Sequence, residues 1–314
     1  MTEAVSAREP PRPSVIAPGN HDGVHLGHRA LIRSARAFAH THGLETCALT
    51  FDPHPLSVVD ATRTKAMLTQ LPRRQELLLR AGADRVHVQA FTPEFAALSP
   101  EAFVDVLLEQ GARALVIGPD FRFGCNRAGD VELLHRLAEQ RGFSVLIEPP
   151  VVIEGERVSS TAIRETLRAG DVAHAAQLLG RLHEITGRVV QGDRRGRTIG
   201  FPTANLDPEP VLPPLDGVYA VRARVLDDET GALYDGVANL GTRPTFAAGR
   251  SLEVHLFDFD RDIYDKTLRV GFVARVRGEQ RFNGLPELRA QIGLDCDSAR
   301  ARLQGSPSEL AACL

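Results

Sequence analysis

Two hydrophobic rhythms divide this chain. Up to about residue 180, short apolar runs alternate with stretches whose apolar residues recur every three or four positions. PSVIAPG (13–19) reads as a buried strand ending in a glycine turn, and ETCALTF (45–51), RVHVQAF (85–91), ARALVIG (112–118) and FSVLIEP (143–149) repeat the signal. Between them, residues 26–43 place Leu31, Ile32, Ala35, Phe38 and Ala39 on helical spacing, and Gly43 stops the pattern. A helical RRQELLLRAGA precedes the strand at 85. Residues 99–112 open with Ser99 as N-cap and Pro100 at the first helical position, and another helix is expected over 130–141. This alternation predicts a parallel sheet with helices on both faces. Ligands in such folds sit beyond the carboxyl ends of the strands. GNHDG (19–23), FDPHP (51–55) and GPDFRFG (118–124) each follow a predicted strand, so they are expected to converge.

The rhythm changes after VAHAAQLLG (172–180). Tyr219, Val221, Ala223 and Val225 alternate with polar or small residues. So do Leu252, Val254 and Leu256, and then Leu268, Val270, Phe272, Ala274 and Val276. Several such strands between Gly and Pro turns predict a small antiparallel barrel. Helical spacing returns over 286–304. The boundary between the two patterns is placed at about residue 183.

Composition narrows the function classes. A chain of 314 residues is comfortable for two domains, and a hydrophobic share of 43% allows each to bury a core. The formal net charge of −3 supplies no basic field, so neither nucleic acid nor membrane is expected as a partner. Lys65 and Lys266 are the only lysines, so a phosphate grip must come from Arg, His, hydroxyls and backbone N–H groups. Cys47, Cys125, Cys296 and Cys313 are scattered and form no C-x-x-C, which argues against a zinc ribbon and a disulfide framework. Residues 1–13 are polar and proline-rich, without the apolar core of a signal peptide. No run approaches the ~18 apolar residues that span a bilayer. A cytoplasmic location is expected.

Two stretches carry candidate chemistry. In His25-Leu26-Gly27-His28 the histidines lie three apart at the mouth of a predicted helix, so they share a face. Gly27 removes the side chain between them, and the helix N-terminus adds N–H groups and a positive partial charge. That suits a phosphate gaining negative charge. The same residues also suit a polar helix start with capping histidines. In RVSSTAIR (157–164), Ser159, Ser160 and Thr161 offer hydroxyls where a helix begins, and Arg164 follows one turn later. A single Ser or Thr would satisfy a cap, so three hydroxyls and an Arg favour an anion site.

H-x-G-H after the first strand with S-S-T-x-x-R far downstream resembles the nucleotidyltransferases. The surrounding text is more specific. GNHDGVHLGH, LTFDPHP, VIGPDFRFG, RVSSTAIRETLRAGDV and LLGR resemble the flavin adenylyltransferase module of bacterial bifunctional riboflavin kinase/FAD synthetases. GDRRGRTIGFPTANL (192–206), DGVYAV (216–221), VANLGTRPTF (237–246), LEVHLFDFDRDIYDKTLRV (252–270) and RGEQRF (277–282) resemble its riboflavin kinase module. The resemblance covers roughly residues 14–304. It implies an α/β chain: a Rossmann-like nucleotidyltransferase domain over 14–183, then a small antiparallel β-barrel riboflavin kinase domain over 184–306 with a terminal helix. The implied substrates and products are riboflavin, FMN, FAD and ATP with Mg²⁺.

The resemblance also distributes roles. Glu253, on the strand face opposite Leu252, Val254 and Leu256, is implied as the base for the ribityl 5′-hydroxyl. On residues alone a solvated strand carboxylate is the favoured reading. Thr203 and Asn205 of FPTAN are implied to hold Mg²⁺ and phosphates, and oxygen ligands suit Mg²⁺. Without the resemblance, FPTAN reads equally as a Pro turn followed by an Asn cap. The glycine-rich run 192–200 can fold its backbone over phosphates, and Gly192, Arg197, Gly200 and Pro202 are implied at the ATP. In the other module His25, His28 and the helix mouth are implied to stabilise charge on the transferred group. Ser160, Thr161 and Arg164 are implied at the leaving pyrophosphate. Gly19, Asp22, Gly27, His54 and Asp120 are placed near nucleotide and flavin, and Arg157 near phosphate.

Three positions depart from the family pattern. His21 stands where Phe is expected, Pro119 sits inside G-x-D-F-R-F-G, and Gln191 occupies a place where His is common. Three alternatives stay open on the sequence: a kinase whose adenylyltransferase half is impaired or altered, a flavin-binding regulator without turnover, and a metal-dependent hydrolase built on His21, His25 and His28. Oligomeric state also stays open, with a weak homo-oligomer among the options.

Overall fold

Ser14–Pro18 (β1) is buried at every position, as a strand must be when helices cover both faces of its sheet. The computed structural model describes residues 11–60, 62, 65–192, 200–228, 230–242 and 250–314. After β1 come α1 (Leu26–His42), β2 (Glu45–Asp52), α2 (Pro55–Val59), α3 (Leu71–Arg80), β3 (Arg85–Ala90) and α4 (Pro93–Ala96). Then follow α5 (Pro100–Glu109), β4 (Ala112–Ile117), α6 (Val131–Arg141), β5 (Ser144–Ile147), the short strands β6 (Val152–Ile153) and β7 (Glu156–Arg157), α7 (Ser160–Ala169) and α8 (Val172–Leu179). Strands 1–5 form one parallel sheet in the order β3-β2-β1-β4-β5. The order reverses at β1, which lies between β2 and β4, so the loops after these three strands share one sheet edge.

Local signals explain the helix limits. Ser99 Oγ accepts the Ala102 N–H (3.1 Å) at the start of α5, with Pro100 as the first helical residue. Gly43 ends α1 at φ 65°, where its N–H reaches the Ala39 carbonyl. The core of this part gathers Ile16, Leu49, Phe103, Leu107, Leu115, Leu134 and neighbouring phenylalanines.

The second architecture begins at β8 (His183–Val190). It continues through β9 (Ala204–Pro208), β10 (Gly217–Val225), β11 (Leu233–Thr242), β12 (Arg250–Leu256) and β13 (Thr267–Arg277) to α9 (Leu285–Gln304). The strands close an antiparallel barrel in the order β10-β11-β12-β9-β8-β13. Alternation puts Leu252, Val254 and Leu256 in the core, with Glu253 only half-buried between them. β10 departs from the expected polar alternate positions, being buried on both faces. Tyr219 and Val221 belong to one face, while Val218 and Ala220 of the other join Cys296, Ala299 and Leu303 of α9 in an outer cluster. The terminal helix therefore turns a half-solvated strand into a core strand.

By compactness the chain forms two units: residues 1–65 with 71–158, and residues 66–70 with 159–314. Segment 66–70 is bonded within the second unit. The Ala66 carbonyl accepts from Arg164, Met67 bridges Val211, Thr69 Oγ1 accepts from Arg181 and Gln70 donates to the Pro210 carbonyl.

Candidate active sites

In the first unit, the loop after β1 is built around histidines. His25 is the N-cap of α1, and its Nδ1 accepts the His28 N–H at 3.3 Å. With Nδ1 accepting, a neutral His25 carries its proton on Nε2. The rings of His25 and His28 stack at 3.6 Å, and His21 meets His28 edge-on at 5.0 Å. A Cβ on Gly27 would lie 3.1 Å from His25 Cε1, tighter than a side chain allows without displacing that ring. His21 and Val24 hold positive φ, 49° and 39°. For the β-branched Val24 this is backbone strain of the kind found at functional loops.

His21 is fully buried, and its Nε2 lies 3.0 Å from the Ala17 carbonyl. Burial lowers its pKa to about 4, so the ring is neutral, donates Nε2–H to Ala17 and offers only a lone pair at Nδ1. Asp22 is likewise buried. No group of three or more His, Cys, Asp or Glu side chains suited to a metal occurs among the described residues.

The loops after β1 and β2 are brought together as expected. Gly19 N–H donates to Leu49 O (3.0 Å), Thr50 Oγ1 to Asn20 O (3.0 Å), and the Asn20 carboxamide lies 3.3 Å from His54 Nε2. His54 caps α2, its Nδ1 accepting the Leu56 N–H. After β4, Phe121 N–H donates to Gly118 O (3.2 Å) and closes a turn with Pro119 in second place. The ring's fixed φ suits that place and no N–H is needed there, so the departure at 119 fits the backbone. Asp120 pairs with Arg157 of β7 on the surface.

One buried group escaped the sequence reading. Arg74 of α3 is 1% exposed and donates to the carbonyls of Asn20 (3.1 Å) and Phe51 (3.2 Å). The signal for it was its spacing from Leu77 and Leu78, which puts all three on one helix face.

In the second unit, Ser159 caps α7 by accepting the Ala162 N–H (3.1 Å), leaving Ser160 and Thr161 in the first turn. Arg164 is buried and donates to the carbonyls of Ser160 (3.1 Å) and Ala66 (3.2 Å). In the barrel, Asn205 stands directly opposite Glu253 across β9 and β12, and Glu253 opposite Asn239 across β12 and β11. Three polar side chains thus share one face of three neighbouring strands. Asn239, exposed, was not picked out from sequence, because register alone places it there. A Cβ on Gly192 would collide with the Asn205 carboxamide. Thr203 and Pro202 line a cavity of about 400 Å³ with Val254, Leu256 and the 259–264 segment. Gly200 holds φ 90°. Arg197 and the rest of 193–199 lie outside the described residues, and Gln191 is exposed.

Known proteins match both units. The FAD synthetase family model matches residues 7–162 and the riboflavin kinase family model residues 179–303. The chain is 40% identical over 297 residues to the bifunctional riboflavin kinase/FMN adenylyltransferase of Escherichia coli (strain K12), covering 94% of each. It is 37% identical over 294 residues to that of Bacillus subtilis (strain 168), covering 91% of each. The crystal structure of macrolide-efflux protein from Streptococcus pneumoniae superposes with a TM-score of 0.84 at 31% identity, over 92% of this chain and 94% of that one. No helix among the described residues is long and apolar enough to cross a membrane. With two family models in the expected order and such identity over nearly the whole length, the chain belongs to the bifunctional riboflavin kinase/FMN adenylyltransferase family.

Proposed function

We propose that this chain makes FMN and then FAD at two sites, with function dividing at about residue 183. In the first reaction the riboflavin 5′-hydroxyl oxygen attacks the γ-phosphorus of ATP and ADP leaves. Glu253 takes the hydroxyl proton. Thr203 and Asn205 would hold the nucleotide phosphates and Mg²⁺. The donor types suit that ion: the Thr203 hydroxyl lies two residues before the Asn205 carboxamide, which stands opposite the Glu253 carboxylate and in a cradle that a Cβ at residue 192 would fill. An ion held there would offset phosphate charge.

In the second reaction an FMN phosphate oxygen attacks the α-phosphorus of ATP and pyrophosphate leaves. No protein nucleophile is needed, so catalysis rests on positioning and charge. His25, with its proton on Nε2, His28 and the N–H groups of α1 stabilise the charge on the α-phosphoryl group. Ser160, Thr161 and Arg164 hold the pyrophosphate. His54, Asp120 and Arg157 serve the nucleotide and flavin. The protein works on small molecules in the cytoplasm.

The observation that supports this reading is that one chain holds two polar constellations on separate architectures: a histidine-bearing helix mouth where strand order reverses, and Asn205 in register with Glu253. Incubation of the purified protein with riboflavin and MgATP tests it. FMN and FAD should both form, with one pyrophosphate per FAD. FMN alone would leave a kinase with an impaired second half. No flavin product would leave a binding protein.

A further inference from the structure

Arg74 heads the fully buried side chains of the described residues by size. Burying a cation is costly unless it is paired and hydrogen-bonded. A leucine beside Leu77 and Leu78 would pack α3 onto the sheet without that cost. The guanidinium does what no apolar side chain can. Nη1 donates to the Asn20 carbonyl at 3.1 Å and Nη2 to the Phe51 carbonyl at 3.2 Å, with Asp52 Oδ1 4.0 Å from Nη2. Burial pulls its pKa below the usual arginine value, while the charges of Asp22 and Asp52 oppose the shift. Thr50 Oγ1 donates to the same Asn20 carbonyl at 3.0 Å. Asn20 precedes His21, Asp22 and His25 in the first loop, and Phe51 precedes His54 in the second.

We propose that Arg74 is a positioning residue for adenylyl transfer: its rigid fork fixes the loops after β1 and β2 in one relative placement. It acts through the backbone of Asn20 and Phe51 on the His25–His28 pair and on His54, and it touches no substrate itself. The planar guanidinium is suited to this, because its donors reach two carbonyls at once in a fixed geometry. The proposal rests on the assignment of FAD formation to this site.

The test uses the full-length protein with supplied FMN and ATP, and measures riboflavin phosphorylation and melting temperature on the same samples. Arg74→Met should lower kcat for FAD formation about 10²-fold, as a small misplacement of reacting groups does. The KM for ATP should stay within about threefold and the kinase rate should be unchanged. Arg74→Lys should recover part of kcat, since an ammonium reaches one carbonyl well but not both. Thr50→Val, which removes the second donor to Asn20, should lower kcat by a smaller factor. Arg74 variants with wild-type kcat per folded molecule would overturn the proposal and leave Arg74 a packing residue. So would Arg74 variants that do not fold, if Thr50→Val keeps wild-type kcat. A wild-type protein that forms no FAD would instead overturn the reaction assigned to the site, and the proposal with it.

Discussion

The barrel and the parallel sheet hold their proposed reactive groups by different means. In the barrel, Asn205 and Glu253 stand on the strands, and the ladder between β9 and β12 sets their separation. Backbone hydrogen bonds make that ladder, and any side chain on those strands would inherit the same register. In the sheet, His25, His28 and His54 stand on segments beyond the strand ends. Their placement comes from bonds that particular side chains make, those of Thr50, Arg74, Asn20 and His25 itself. A strand-borne site therefore tolerates changes around it, whereas a loop-borne site depends on residues that never meet the ligand. In the sheet the buried Arg74 is such a residue under the proposal above.

The sharpest way to separate the two regions is to remove the barrel's carboxylate. Glu253→Gln should lower riboflavin phosphorylation by ~10²–10⁴-fold, the usual worth of a general base, while conversion of supplied FMN to FAD continues. Near-normal FMN formation would take Glu253 out of that role. In the other region, His28→Ala and Arg164→Ala should each lower FAD formation by ~10²–10³-fold while FMN accumulates. Equal loss of both activities would point to misfolding. Next in size is Gly192→Ala, which drives a methyl into the Asn205 carboxamide. It should reduce the kinase rate by up to about 10²-fold and leave FAD formation alone, measured as the ratio of the two rates. A normal kinase rate would mean that Asn205 need not stay where it is.

The smallest effect is expected at His21. His21→Phe should keep FAD synthesis near its wild-type rate or improve it, with no stoichiometric zinc in either protein. Its clearer signature is pH dependence. His21 and His183 are both buried with pKa values lowered to about 4. Between that value and the ordinary 6.5 the unfolded chain binds protons that the folded chain does not, so stability falls as the pH is lowered through this window. Replacing His21 removes one of these groups. The melting temperature should then fall less between pH 7 and pH 5 in the variant, by roughly a few degrees. Parallel curves would show that His21 titrates normally.

Apolar runs and helical periods carried most of this architecture, because β1, β2 and β4 are buried on both faces as short apolar runs and α1 buries one face at helical spacing. What stayed hidden depends on partners remote in sequence. Period two in β10 promised one solvated face, but α9 lies over Val218 and Ala220 and buries it. RRQELLLR reads as a polar helix end, and only the carbonyls of Asn20 and Phe51 explain an arginine inside. The motifs FPTAN and LEVHL say nothing of each other. Their residues Asn205 and Glu253 meet because β9 is inserted between β8 and β12. Arg197 lies outside the described residues, so its implied place at ATP stays a proposal.

The short segment 66–70 bears on how such a chain could be divided. Residues on both sides of it belong to the first compact unit, while its own bonds run to Arg164, Arg181, Pro210 and the bridge at Val211 in the second. No single scission of the chain separates the two units, because the second includes a segment from inside the first. A gene split at residue 158 would part these five residues from all four of those partners, whereas one at 183 would keep Arg164 and Arg181 with them and remove only Pro210 and Val211. A cut at 183 therefore leaves the Ala66 and Thr69 bonds in place, and a product ending there should keep more of its native structure than one ending at 158.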